Sequence, residues 1–227
     1  MGVTRWLIAP MVLALAAAPG FAQPPQGSEA APWLGSFMLG GSFWPGLRDV
    51  AIPPNGYEAL ELGRFHTTGG NLELGLYRRL RRTSHGEVQA GGEFGVWWHE
   101  SASRRTFTDF SQRVTIQGQA AANGGHLTGS VRHVWGRGRV TPFLGLGAGW
   151  YLLVFKETYG NVVSDTDARA NAFGGFLTAG LEVRGASPFA FRSDAQVHVL
   201  SFGGAALRGQ RVAGPVYTLR IGGSMRF

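Results

Sequence analysis

At 227 residues, of which 44% are hydrophobic, 12% aromatic and only 15% charged, the chain is long enough for one domain and too hydrophobic for a disordered one. Its formal net charge of +7 comes from arginines that are scattered apart from the run at 78–82, so we expect no nucleic-acid partner. The absence of cysteine excludes disulfides, thiolate metal sites and cysteine nucleophiles.

The first 22 residues have the features of a cleaved export signal. Arg5 supplies the positive charge, residues 6–18 form the apolar core, and Gly20 and Ala22 are the small residues before the cleavage site. An uncleaved anchor helix is the alternative, but this core is shorter than the span of about 20 residues that a membrane helix needs. We therefore expect a signal peptide at 1–22, a polar leader at 23–31 and one exported domain at 32–227.

The rest of the chain alternates apolar and polar residues with a period of two, which is typical of strands with one apolar face. In the last segment, YTLRIGGSMRF, an apolar face from Tyr217 to Phe227 alternates with a polar face that includes Arg220. No continuous apolar stretch of about 20 residues follows the signal. The pattern predicts eight strands, at 33–43, 71–80, 87–99, 127–133, 140–155, 177–184, 189–199 and 217–227.

The predicted connections alternate in length. Residues 81–86, 134–139 and 185–188 are short turns, whereas 45–70, 100–126, 157–170 and 202–214 are long. Periodicity alone does not separate a soluble sandwich from a membrane barrel, but short turns at one end and long loops at the other are typical of outer-membrane barrels. We therefore predict an all-β fold, a closed antiparallel transmembrane β-barrel of about eight strands with long extracellular loops.

Two features leave alternatives open. Aromatic residues near strand ends predict interfacial girdles, although core packing is the alternative for any single one; they are Trp33, Phe43, Trp44, Trp97, Trp98, Trp150, Tyr151 and Phe227. The motif LELG at 60–63 is repeated at 72–75. The repeat predicts an extra hairpin above the membrane or, alternatively, two more strands.

The run PFLGLGAGW at 142–150 and the strand that ends at Phe227 resemble the small eight-stranded outer-membrane β-barrel family, which includes the membrane domain of OmpA-type proteins and their short relatives. The likeness extends over nearly all of the chain after the signal. It implies the outer membrane of a Gram-negative bacterium, contact with outer-membrane lipid and lipopolysaccharide, and recognition of the C-terminal aromatic strand by the barrel-insertion machinery. It implies no activity.

Charged residues on the polar faces of the predicted strands are the first candidate site; they are Glu93, Arg132, Glu182, Arg192, Asp194 and Arg220. An eight-stranded barrel is just wide enough for side chains to fill it, and buried charges need partners. We predict an internal salt-bridge network that plugs the lumen, with Glu182 and Arg192 paired across the turn at 185–188. A proton or ion path is the alternative.

Glycines and histidines suggest no cofactor. Gly145, Gly147 and Gly149 lie within a predicted strand, whereas a phosphate-binding loop requires a strand-to-helix transition, so we expect them to relieve crowding in a narrow barrel. The histidines lack the spacing of metal ligands, so no metal is expected; they are His66, His85, His99, His126, His133 and His198.

The sequence favours a non-enzymatic protein. His198 and Ser201 resemble the His-x-Ser pair of small-barrel lipid A deacylases, but their spacing places them on opposite faces of a strand. We expect no catalytic residue, and no particular binding residue is predicted. The favoured role is an envelope-structural or surface-interaction protein whose long loops, such as residues 100–113, meet an extracellular ligand. A narrow channel for small or apolar solutes and a lipid A-modifying enzyme are the alternatives.

Overall fold

The computed structural model describes residues 33–47, 59–61, 67–109, 112–136, 138–158, 166–185, 187–203 and 211–227. The predicted signal peptide and polar leader lie outside these residues, so both remain predictions. The part of the chain that the structure describes contains no helix long and apolar enough to cross a membrane.

The described residues form nine strands and one short helical turn. These are β1 (Trp33–Phe43), the 3₁₀ turn (Pro45–Leu47), β2 (Ala59–Glu61), β3 (Thr68–Thr83), β4 (Gly86–Asp109), β5 (Gln112–Trp135), β6 (Val140–Thr158), β7 (Thr166–Arg184), β8 (Phe189–Phe202) and β9 (Val212–Arg226). Strands β3 and β4, β5 and β6, and β7 and β8 are joined by two to four residues. We call this the turn end and the opposite end the loop end.

All strands except β2 form one closed antiparallel ring. The pairing order is β1–β3–β4–β5–β6–β7–β8–β9, and β9 pairs back onto β1. At the closure Leu34 is opposite Arg226, and the backbones of Trp33 and Phe227 exchange hydrogen bonds of 3.1 and 3.2 Å. The predicted eight-stranded barrel is therefore confirmed. The first LELG motif overlaps β2, which adds only to the far end of β4 and is not a ninth barrel strand.

The register of the strands sets the size of the barrel. The paired residues, followed once around the ring from Trp33, lead back to β1 at Phe43, ten residues further along. This stagger over eight strands tilts them by about 40° and gives a backbone radius of about 8 Å. Such a lumen has room for side chains and little else.

Side chains outside and inside the ring differ in chemistry. Outward residues on the middle of the strands are large and apolar, among them Leu127, Leu146 and Leu177, which are 66%, 63% and 60% exposed. Their chain neighbours Thr128 and Thr178 point inward and are buried. Because apolar surface left in water costs about 25 cal/mol per Å², this outward band requires a hydrocarbon environment.

Aromatic side chains border the outward band at both ends. They are Trp33, Trp135, Phe189 and Phe227 at the turn end, and Phe43, Trp98, Trp150, Phe173 and Tyr217 at the loop end. Trp33 and Phe43 are ten residues apart on β1, about 25 Å along the axis at this tilt, which matches the apolar band of outer-membrane barrels. The girdle prediction is wrong for Trp44, Trp97 and Tyr151, which occupy inward positions and are buried.

The predicted long loop at 100–126 is largely strand, and so are both described ends of the one at 157–170. Strands β4 and β5 stay paired from Glu100 opposite Ala121 up to Asp109 opposite Gln112, and β6 and β7 extend to Thr158 and Thr166. Backbone pairing continues above the apolar band, where neither face needs to be apolar. The alternation that predicts the strands is lost there while the hydrogen bonds persist.

One seam of the ring is incomplete. Pairing between β7 and β8 ends at Gly175 opposite Val199, although β7 stays paired with β6 as far as Thr166. Among the described residues, Ala172 to Gly174 on β7 are therefore not paired with Leu200 to Phe202 at the end of β8. The seam lies at the loop end, beside the highly exposed Phe173.

The glycines of β6 are required by the narrow lumen, as predicted. A methyl group on Gly149 would overlap the carbonyl oxygen of Leu127 and lie 2.6 Å from the Cα of Thr128. At Gly145 it would lie 2.9 Å from the side chains of both Arg132 and Thr178. These glycines lie in the middle of a strand, which is not the strand-to-helix setting of a phosphate-binding loop.

Candidate functional site: the barrel interior

The inward side chains form four levels between the turn end and the loop end. The ion-pair ring consists of Glu87, Glu182, Arg184 and Arg226. The charged layer consists of Glu73, Tyr77, Glu93, Arg132, Arg192, Asp194 and Arg220. The aromatic layer consists of Trp97, His126, Tyr151, Phe176 and His198. The apolar cap consists of Trp44, Leu47, Leu153, Phe155, Ala168, Ala170, Ala172, Leu200, Phe202, Val212 and Val216.

The ion-pair ring closes the turn end. Arg184 Nε lies 2.7 Å from Glu182 Oε1, and Arg226 Nη2 lies 2.8 Å from Glu87 Oε1. Longer contacts of 3.4 Å from Arg226 to Glu182 and 3.7 Å from Arg184 to Glu87 complete a crossed set of four charges. Three of these four contacts join different wall strands, namely β4, β7 and β9.

Arg220 holds the carboxylates of the charged layer. Its Nη1 pairs with Glu73 and its Nε donates to Asp194 Oδ1 at 2.7 Å. Asp194 Oδ2 accepts from Arg192 Nε at 3.0 Å and lies 2.8 Å from Arg192 Nη2. All four side chains are at most 2% exposed. Charges this deeply buried are tolerated because each one has a paired, hydrogen-bonded partner.

Glu93 and Arg132 share Tyr77 in place of a direct ion pair. Glu93 accepts hydrogen bonds from the Tyr77 hydroxyl, from Ser130 at 3.1 Å and from Gln196 at 3.3 Å. Arg132 lies 3.7 Å above the Tyr77 ring. The ring places its negative face against the cation and its hydroxyl proton against the anion, so one side chain stabilises both charges.

Above the charges, rings stack across the lumen. Trp97 stacks on His126 and Tyr151 with centroids 5.3 and 5.9 Å apart, and the Tyr151 hydroxyl is 3.0 Å from His198 Nδ1. His126 also contacts Glu73 at 3.3 Å, which links this layer to the charged layer below.

The loop end of the lumen is apolar. Phe202 and Trp97 pack against Trp44, with ring centroids 5.8 and 6.3 Å away. The 3₁₀ turn brings Trp44 and Leu47 into this cap, and both are fully buried. The turn can approach β9 closely because Gly46 has no side chain; a methyl group there would overlap the Ala213 carbonyl oxygen.

The structure places all six predicted lumen charges inside the barrel, where each is at most 3% exposed. The predicted pair is wrong in its partners, although Glu182 and Arg192 do stand opposite one another in the register. Glu182 binds Arg184 and Arg226, and Arg192 binds Asp194 two positions along its own strand. Four further lumen residues are not among the predicted ones, although all lie on inward-facing positions of their strands; they are Glu73, Tyr77, Glu87 and Arg226.

His198 and Ser201 do not form a nucleophile and base. Both lie on β8 without a bulge between them, His198 inside the barrel and Ser201 on the outer face. Ser201 Oγ accepts a hydrogen bond of 2.7 Å from Arg211 instead. A serine nucleophile needs its base within hydrogen-bonding reach, and this strand geometry separates the two side chains.

Of the other histidines, His85 lies in a turn, His133 faces outward beside Trp135, and His66 lies outside the described residues. His99 is buried in the lumen, with its Nε2 3.1 Å from Ser42 Oγ. In the ranges that the structure describes, no group of three or more histidine, cysteine, aspartate or glutamate side chains is positioned to hold a metal ion.

An apolar exterior, a charged interior, two aromatic girdles and short turns at one end together define an integral membrane β-barrel of the eight-stranded outer-membrane type. The chain aligns with solved structures of this type. Neisserial surface protein A, NspA, is 10% identical, with 88% of this chain and 100% of that chain covered and a TM-score of 0.44. OprG, an outer membrane protein from Pseudomonas aeruginosa, is 13% identical, with 89% of this chain and 98% of that chain covered and a TM-score of 0.42.

Ail, the attachment invasion locus protein of Yersinia pestis, is 13% identical, with 88% of this chain and 100% of that chain covered and a TM-score of 0.42. No protein-family model and no curated protein matches the sequence. Similarity at this level carries no function from those proteins to this chain.

The shared role of Tyr77 gives a stability prediction. Tyr77→Phe keeps the ring beneath Arg132 but leaves the Glu93 carboxylate with one donor fewer, so we expect a loss of about 1–3 kcal/mol in the free energy of unfolding. Tyr217→Phe, on the outer face, is the matched control and should change it by less than about 0.5 kcal/mol. Urea unfolding in lipid vesicles measures both. Equal midpoints for the two variants would contradict the role of Tyr77.

Proposed function

We propose that the chain is a non-enzymatic outer-membrane protein whose filled barrel anchors an interaction surface outside the cell. The observation that carries this proposal is the contrast between the two halves of the molecule. The lumen is packed with buried side chains from the ion-pair ring to the apolar cap, whereas β4 and β5 continue well beyond the membrane band as a paired hairpin. The separation of His198 from Ser201 supports a role without catalysis.

The orientation follows from the two ends. Outer-membrane barrels keep short turns in the periplasm and long segments outside, which places Trp33 and Phe227 in the periplasmic girdle and the apolar cap at the cell surface. In that orientation the upper girdle contacts the lipopolysaccharide leaflet. The β9 strand, with its terminal Phe227, is the element we propose the barrel-insertion machinery recognises.

The β4–β5 hairpin is the most prominent surface feature. From Trp98 in the upper girdle, β4 continues eleven residues to Asp109, about 35 Å of strand. Paired strands hold such an extension in a defined shape that an unpaired loop lacks, so it offers an extended edge and two faces to a partner. The short strand β2 pairs with β4 near the tip of the β4–β5 hairpin.

Shortening this hairpin tests the proposed role. Removing 103–118 and joining Ala102 to Gln119, which are opposite each other in the register, through an Asn-Gly turn preserves the barrel below. We expect a heat-modifiable band like that of wild type on unboiled gels, and at least a tenfold loss of cell adhesion to immobilised laminin, fibronectin and heparan sulfate.

The matched control shortens the β6–β7 hairpin by joining Lys156 to Asp167, which are also opposite each other. It should keep adhesion if the β4–β5 hairpin carries the interaction. Wild-type adhesion by a folded β4–β5 variant on every surface would contradict the surface role.

A second candidate, the passage of apolar solutes, is favoured by one observation. The unpaired seam between β7 and β8 lies where β7 carries the small inward residues Ala172 and Gly174, beside the apolar cap. An apolar molecule in the outer leaflet would therefore reach the apolar interior where β7 and β8 are not paired.

Filling that seam distinguishes the two candidates. Ala172→Phe places a ring on the inward face of β7, whereas Ala179→Phe places one on its outward face and serves as the control. If apolar solutes pass here, uptake of radiolabelled octane into proteoliposomes should fall several-fold in the first variant only. Uptake no faster than in protein-free liposomes would rule out this second candidate.

A further inference from the structure

The lumen as a whole contains more guanidinium groups than carboxylates. Counting the inward-facing residues that the structure describes, six arginines face five carboxylates. The arginines are Arg79, Arg132, Arg184, Arg192, Arg220 and Arg226, and the carboxylates are Glu73, Glu87, Glu93, Glu182 and Asp194. The imbalance is concentrated near the turn end, around the Tyr77 ring.

Arg132 is a fully buried arginine without a carboxylate partner in the described part of the chain. It is 2% exposed, its Nε donates to the neutral Gln89 Oε1 at 2.7 Å, and no carboxylate among the described residues lies within ion-pair distance. Its Nη1 and Nη2 are buried without a hydrogen-bond partner. A buried guanidinium group with two unpaired hydrogen-bond donor atoms destabilises the folded protein unless a further group accepts hydrogen bonds from them.

Arg192 reaches the same place from the opposite side of the barrel. Arg132 belongs to β5 and Arg192 to β8, yet both guanidinium groups lie over the same two rings. Arg132 is 3.7 Å from the Tyr77 centroid and 5.3 Å from that of Phe143, and Arg192 is 5.7 and 4.5 Å from them. The Nη1 atom of Arg192 is also buried without a partner.

A third arginine adjoins the pair. Arg79 follows Tyr77 on the inward face of β3 and stands opposite Gln89, the residue that binds Arg132. Its Nη1 is buried and unpartnered as well. Four donor atoms without a hydrogen-bond partner, from three arginines, therefore lie in the same part of the lower lumen, next to Tyr77.

We infer that a small inorganic anion, of the size and charge of chloride, binds between Arg132 and Arg192. Water would satisfy the donors but would leave the surplus positive charge uncompensated. We take the anion to be small because both guanidinium groups lie within 5.7 Å of the Tyr77 and Phe143 ring centroids, in a lumen of about 8 Å backbone radius. The ion-pair ring lies between this site and the turn end, so the anion is held within the barrel. The inference does not depend on the proposed surface role.

Bromide is the probe, because it replaces chloride and is located by its anomalous scattering. Crystals of the detergent-solubilised wild-type barrel grown in sodium bromide should show an anomalous peak within about 3.5 Å of Nη atoms of both Arg132 and Arg192. Bromide peaks confined to the protein surface, or only non-anomalous density at this point, would overturn the inference, since water alone then satisfies the donors.

A solution measurement tests the same site independently. Urea unfolding of the wild type in detergent should shift to higher midpoint as sodium bromide replaces sodium gluconate at constant ionic strength, and the shift should saturate, as expected for a ligand that binds only the folded state. Arg132→Gln should abolish the dependence on bromide. Arg78→Gln is the control, because Arg78 lies at the same end but faces outward over Trp33. An equal dependence in both variants, or none in wild type, would contradict the site.

Discussion

The pairing of β9 with β1 is the constraint on which the rest of the structure depends. Closure satisfies the backbone of every strand within the membrane band, which no open sheet can do in lipid. It also separates an outer surface that must be apolar from an inner one that cannot reach the solvent freely. With ten residues of stagger, the inner surface encloses a space that side chains fill. Gly149 and the buried ion pairs of Arg220 are both consequences of that limited space.

The interior changes in character along the axis. Within the membrane band it is charged, and at the cell-surface end it becomes an apolar core of the kind found in water-soluble domains, closed by Trp44 and Phe202. The barrel wall separates the charges in the membrane band from lipid. Above the membrane, the wall is stabilised by the burial of apolar side chains inside it. Tyr77 and Tyr151 connect these regions because each combines a large ring with a hydroxyl.

The sequence predicts the barrel well wherever one face must meet lipid. Strand β1 has the predicted limits, and all six predicted lumen charges are buried, because the contrast between the faces is strongest there. Prediction failed above the membrane, where residues 100–109 are strand without an apolar face. The sequence also does not predict which arginine forms the ion pair with Glu182. Arg192 is opposite Glu182 on the neighbouring strand and Arg184 is two positions along the same strand, and both positions fit the same periodicity. The β3 bulge between Arg79 and Arg81 likewise leaves no signal in the alternation.

A membrane barrel requires that the apolar outward face of each strand meets hydrocarbon. The chain has no cysteine, so Leu177→Cys gives a single spin-labelling site on an outward position in the middle of β7. In lipid vesicles, the nitroxide at this position should be readily relaxed by oxygen, which concentrates in the bilayer, and poorly relaxed by a water-soluble nickel chelate. Stronger relaxation by the nickel chelate than by oxygen would mean that this face is in water, and would contradict the membrane barrel.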